Sequence, residues 1–171
     1  MMEFSKGDTV VYGIHGVCSV VGIEKKEFMG KKSDYYVLAP TYDNRSTVFV
    51  PMENEQLVCK MKRIMQASEI YELIKQMPIE ENIWIESDAE RKRRYSEILK
   101  SGDRHALVRL IKTLYLHREK QSESKKKLHV SDEAFLRDAE KLLYEEFAHV
   151  LNITKEQVLP FIMRQIEIEE K

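Results

Sequence analysis

Trp84, the chain's single tryptophan, stands shortly before an unbroken basic run, Arg91-Lys92-Arg93-Arg94. An indole offers a broad π face, and guanidinium and ammonium groups offer donors to phosphate oxygens. Together they can grip a nucleic-acid backbone while the aromatic group stacks on, or inserts beside, an unpaired or easily unstacked base. Arg91 and Arg94, three residues apart, are expected to share one helix face, with Lys92 and Arg93 flanking them and Tyr95 and Ile98 packing inward. The competing reading folds Trp84 back under the helix, since most tryptophans in small domains are largely buried. The indole and the basic row side by side favour the first.

Catalytic chemistry has weaker candidates. His15 and Cys18 are close, and a Cys–His pair can make a nucleophile. No acid is placed to orient the histidine, so a small strand residue and a turn residue are expected instead. His105, His117, His129 and His149 lack metal-ligand spacing. The glycines form no phosphate-cradling loop between a strand and a helix. Cys18 and Cys59 are far apart, which argues against a disulfide or zinc site and fits a reducing cytoplasm. No enzyme activity, metal, cofactor or small-molecule substrate is expected.

The net charge of −1 over 171 residues conceals a partition. Residues 1–83 carry net −2, residues 84–130 net +6 and residues 131–171 net −5. A positive middle between acidic flanks suggests a localised anionic partner. No run approaches the roughly 18 apolar residues of a membrane span. The first residues lack the basic and apolar pattern of a secretory leader.

The positioning elements divide by period. "DTVVYG", "GVCSVVGI", "DYYVLAP" and "STVFVP" read as short strands, with "GIHG", "KKEFMGKK" and "TYDNRS" as turns. Pro51 ends the fourth strand because it has no N–H to donate. The pattern predicts a small antiparallel barrel or strongly curved sheet. Beyond about residue 66 the period becomes helical. Ile70, Leu73, Ile74 and Met77 share a face of a short helix stopped by Pro78. Ser87 and Glu90 match a capping box for a helix to about Lys100. Gly102 and Asp103 are expected to end it and cap the next, whose stripe is Leu107, Leu110, Ile111 and Leu114 and which reaches about Lys120. "QSESKKKLH" reads as a loop, and a long helix from Ser131 aligns Phe135, Ala139, Leu142, Leu143 and Val150. Thr154 and Gln157 open a last helix, in which Pro160 predicts a kink or a later start. The fold class is therefore α+β, with β residues 1–65 and helical residues 66–171.

"FSKGDTVVYGIHGVCSVVGIE", "MGKKSDYYVL" and "TVFVP" resemble the N-terminal module of the CarD/CdnL transcriptional regulators. Gly7, Asp8, Val10, Val11, Tyr12, His15 and Gly16 stand in the family's order. The helical half is also similar, with an isolated Trp, basic residues and a Tyr, then "SGD" and a helix. The resemblance covers roughly residues 3–151. It implies a Tudor/SH3-like β barrel that docks on the RNA polymerase β subunit, here through Lys26, Val48, Phe49 and Pro51. It further implies a helical domain that contacts promoter DNA at the upstream edge of the transcription bubble, largely without sequence specificity. Trp84 would be the wedge and Arg91, Lys92, Arg93 and Arg94 the backbone clamp, in a cytoplasmic protein brought to the nucleoid by polymerase. Gly13 departs from a family Pro, Cys18 stands where Gly is common, Phe49 stands where some relatives have Arg, and four extra residues separate Trp84 from "SGD". The alternatives are a stand-alone DNA-binding protein, disfavoured because no helix-turn-helix signal is present, and a structural interaction module without a polymerase role.

Overall fold

The valine-rich, glycine-bounded runs form strands because β-branched side chains fit a pleated, half-buried surface. In the computed structural model, which describes residues 3–169, the strands are β1 Thr9–Tyr12, β2 Val17–Phe28, β3 Lys31–Pro40, β4 Val48–Pro51 and β5 Met61–Arg63. They make one antiparallel sheet in the order β4-β3-β2-β1-β5. Val10, Cys18, Val20, Tyr36, Leu38, Val50 and Met61 contribute one side chain or more from every strand to a single core. β4 and β5 are the two ends of the strand order, so hydrogen bonding does not close the expected barrel into a ring. Cys18 lies in this core and His15 is an exposed turn residue stacked on Tyr12.

Two local features differ from the sequence reading, and the turn expected at "GIHG" is given its type. "KKEFMGKK" is mostly strand: β2 runs on to Phe28, β3 resumes at Lys31, and the turn is only Met29-Gly30. Both turn residues have positive φ, 51° and 78°, the sense that matches the twist of flanking strands. "GIHG" contains a 3-10 turn at Gly13–His15. A short helix α1, Glu55–Val58, is capped by the Asn54 side chain and leads into β5; neither element has a periodic signature long enough to read.

The chain divides into two compact units at Ile64/Met65. The second contains α2 Ala67–Gln76, a 3-10 turn at Met77–Ile79, α3 Asp88–Ser101, α4 Arg104–Glu123, α5 Val130–Leu151 and α6 Lys155–Glu169. Ser87 and Asp103 accept N-terminal N–H groups of α3 and α4, and Gly102 adopts the left-handed conformation at φ 68°. α5 is the central helix. Leu136, Ala139 and Leu142 face a cluster shared with α3 and α4, while Leu143 and Phe147 face a second one shared with α2 and α6. A helix buried on more than one side must be apolar around most of its circumference. α4 absorbs Gln121 to Glu123 from the expected loop, and α5 begins one residue earlier, at Val130. α6 starts at Lys155, where Gln157 accepts the Thr154 N–H at 2.9 Å, so Pro160 causes no delayed start. Among the described residues no helix is long and apolar enough to cross a membrane.

Candidate nucleic-acid interface

Residues 80–87 carry Trp84 between the 3-10 turn and α3 without regular structure. Backbone polar groups in such a segment need partners from elsewhere. Ile83 donates its N–H to Thr113 Oγ1 at 2.9 Å and accepts the Tyr95 hydroxyl at 3.1 Å. Trp84 donates its N–H to Asn82 Oδ1 at 2.9 Å. Lys112 donates to the Pro78 and Glu80 carbonyls at 2.7 and 2.8 Å. The Glu80 carboxylate meets His105 and Arg109 at 2.9 and 2.8 Å. Those contacts, the His105 hydrogen bond foremost, hold its pKa below the ordinary value. The connector is therefore tied to α3 and α4 at Glu80 and Ile83.

Arg91 completes these ties and departs from the exposed row expected of it. It is 2% exposed. Its Nε and Nη2 donate to the two oxygens of buried Asp132 at 2.9 and 3.0 Å, and Nη2 also reaches Asp88 at 2.7 Å. Nη1 lies 2.9 Å from the Ile85 carbonyl and 3.5 Å from that of Glu86. A guanidinium has five N–H donors, and these contacts account for all of them, leaving none to offer a phosphate. The hydrogen bond to Asp132 leads the effects that push the Arg91 pKa up. Arg91, Tyr95 and Leu99, the buried residues of α3, are four apart and line one face. Arg94, by contrast, is exposed.

Trp84 takes a position between the two readings of it. It is half-buried against the Tyr95, Leu99, Leu110 and Leu114 cluster. Its ring stacks on His117 at 3.6 Å with planes 14° apart, and the Arg91 guanidinium lies over the ring at 4.4 Å. The indole N–H donates to Glu86 at 3.2 Å. Burial pushes the His117 pKa down, favouring the neutral imidazole. The scattered-histidine pattern gave no hint of this role. Its signal lay in spacing, because His117 continues the stripe of Leu107, Leu110 and Leu114 along α4.

The remaining cations separate by partner. Arg93 spans Glu90 and Glu97 on its own helix at 2.7 and 2.9 Å. Lys92 and Arg94 are exposed, with no hydrogen bond or ion pair among the described residues. In the β unit, Lys26 places its Nζ 3.8 Å over the Phe49 ring. Phe49 is exposed on edge strand β4, Pro51 is half-buried, and Val48 packs partly against the core. At the hairpin tip Phe28 and Met29 are 69% and 93% exposed.

A small β unit followed by a helical unit, each matched along almost its whole length, defines a two-module chain: residues 4–65 match the CarD-like/TRCF RID domain and residues 69–163 the CarD C-terminal domain. The chain belongs to the CarD-like family. It is similar to YdeB of Bacillus subtilis (strain 168), a protein named as a candidate transcription factor. The two are 25% identical over 166 residues, covering 92% of this chain and 99% of that protein.

Proposed function

We infer that this protein is a transcription regulator that binds RNA polymerase through its β unit and promoter DNA through its helical unit. The consecutive match of both CarD-like modules carries this reading, and the candidate transcription-factor role of a relative matched over nearly its whole length agrees with it. Trp84 is the wedge at the upstream bubble edge. Lys92 and Arg94, exposed and without a hydrogen bond or ion pair among the described residues, contact the DNA backbone. Arg93 joins them by exchanging its surface carboxylates for phosphate. Lys26, Phe49 and Pro51 contribute the docking surface for the polymerase β subunit, with Val48 supporting it from the core side.

The energetics need little from the DNA contact itself. A few exposed cations give weak, salt-sensitive binding to a backbone, and docking on polymerase raises the local concentration of the helical unit. Favouring one promoter intermediate by a kcal/mol or two, an order-of-magnitude figure, changes its population several-fold. A side chain held in one orientation before binding loses less entropy when it engages, and the stacked indole meets that condition. The deciding experiment follows promoter opening by the cognate polymerase with a fluorescent base at the upstream bubble edge. Trp84→Ala is expected to bind polymerase like wild type and to lose the effect on opening. Retention of the full effect by that variant would sink the wedge reading.

A further inference from the structure

We propose that Arg91 and Asp132 are positioning residues for Trp84, acting through the connector rather than on DNA. The proposal rests on the wedge reading for its functional consequence, and on geometry alone for its structural one. Residues 83–86 have no ladder or helix to order them. The Ile83 carbonyl is fixed by Tyr95, and the Ile85 and Glu86 carbonyls by Arg91. Trp84 therefore sits between two anchored residues. The guanidinium holding the later anchor also lies over the indole ring, 4.4 Å from its centroid.

Arg91 is fixed in turn by the two oxygens of Asp132, which is 1% exposed on α5. A planar fork matched to a carboxylate sets both the distance and the plane of the pair. Rotation of the guanidinium would break the Asp132 contacts, the carbonyl contacts and its place over the indole at once. The structure thus gives one member of the basic run a task that its neighbours cannot perform: Lys92 and Arg94 hold charge at the surface, and Arg91 holds the aromatic group in register with them.

Because Trp84 is the chain's single tryptophan, its fluorescence reports this environment without a label. Asp132→Asn keeps the side-chain shape and removes the charge that pins Arg91. It is expected to red-shift Trp84 emission and increase its quenching by acrylamide, while the far-ultraviolet circular dichroism stays helical. Promoter opening should fall toward the Trp84→Ala level with unchanged affinity for polymerase. Asp132→Glu, which restores the carboxylate, should recover part of both signals. If Asp132→Asn does not fold, Asp88→Asn decides, since that side chain is 61% exposed and touches the same Nη2; a smaller shift in the same direction is expected. A folded variant with wild-type emission and quenching overturns the proposal. Should Trp84→Ala leave opening unchanged, the wedge reading falls, and the fluorescence still decides whether Arg91 and Asp132 position the indole.

Discussion

Among the cations that lie over aromatic rings, Arg91 and Lys26 differ in almost everything else. Arg91 is buried over Trp84 with an oxygen for every donor. Lys26 lies over Phe49 on the surface, and its nearest carboxylate, that of Glu24, is 4.0 Å away. The first pair can change partners only by dismantling the segment it holds. The second can release its ring and meet another molecule without disturbing the sheet. Contact with an aromatic ring therefore does not distinguish a structural cation from a binding one. The number of donors already committed does.

The sharpest way to break this contrast is to remove one partner from each side. Asp132→Ala leaves a buried guanidinium without its main counter-charge, and we expect a loss of about 3–5 kcal/mol in urea unfolding of the helical unit. Lys26→Ala should cost no more than about 0.5–1 kcal/mol in the same measurement, the range for an exposed cation over a ring. Equal costs would mean that burial does not separate the pairs. Tyr95→Phe is the next test. It removes one hydrogen bond to the Ile83 carbonyl, with an expected loss of about 1 kcal/mol. That hydroxyl has its pKa pushed up to about 12 by burial, so it stays protonated and donating at any pH of interest.

The exposed members of the run make the complementary prediction. Changing Lys92 and Arg94 together to Ala should leave the thermal midpoint nearly unchanged, because surface substitutions usually act within about 0.5 kcal/mol. Weakened duplex binding, with a salt dependence shallower by about one unit for each lost phosphate contact, is the expected readout. An unaltered salt slope would remove these two residues from the interface.

The smallest expected effect comes from pH. Burial lowers the His117 pKa, so the unfolded chain takes up this proton first as the pH falls. The stability associated with the neutral imidazole is fully present above its unfolded value of about 6.5 and declines as the pH drops through that value. Wild type should lose more thermal stability than His117→Gln between about pH 7.5 and about pH 5.5. A protonated imidazole under the indole should also dim Trp84 fluorescence. Indistinguishable pH profiles would show that stacking does not depend on the charge of His117.

What could be read in advance follows the range of the interactions involved. Ser87, Gly102 and Asp103 were legible because a cap is made by a side chain and the N–H groups two or three residues away. The α+β division was legible because period two gives way to period 3.6 near residue 66. β5 and α1 were not, since three or four residues are too few to display a period. The length of the β2–β3 hairpin was hidden by its charged, solvated outer half, which looks like a turn to any reading based on polarity. Arg91 is the instructive miss. Its place four residues before Tyr95 put it on the inward face, but the carboxylate that makes burial tolerable lies 41 residues away.

That separation also has a meaning in time. Helices α3 and α4 can form from local bonds, while the connector between Glu80 and Ser87 acquires its geometry largely from side chains on its neighbours. The Asp132 anchor cannot act until α5 has been synthesised and docked, because closing a loop of that length must precede the contact that stabilises it. Trp84 therefore reaches its final surroundings only once α5 has docked, although its position lies early in the helical unit. A stopped-flow record of its emission would time the arrival of α5 rather than the formation of the helix beside it.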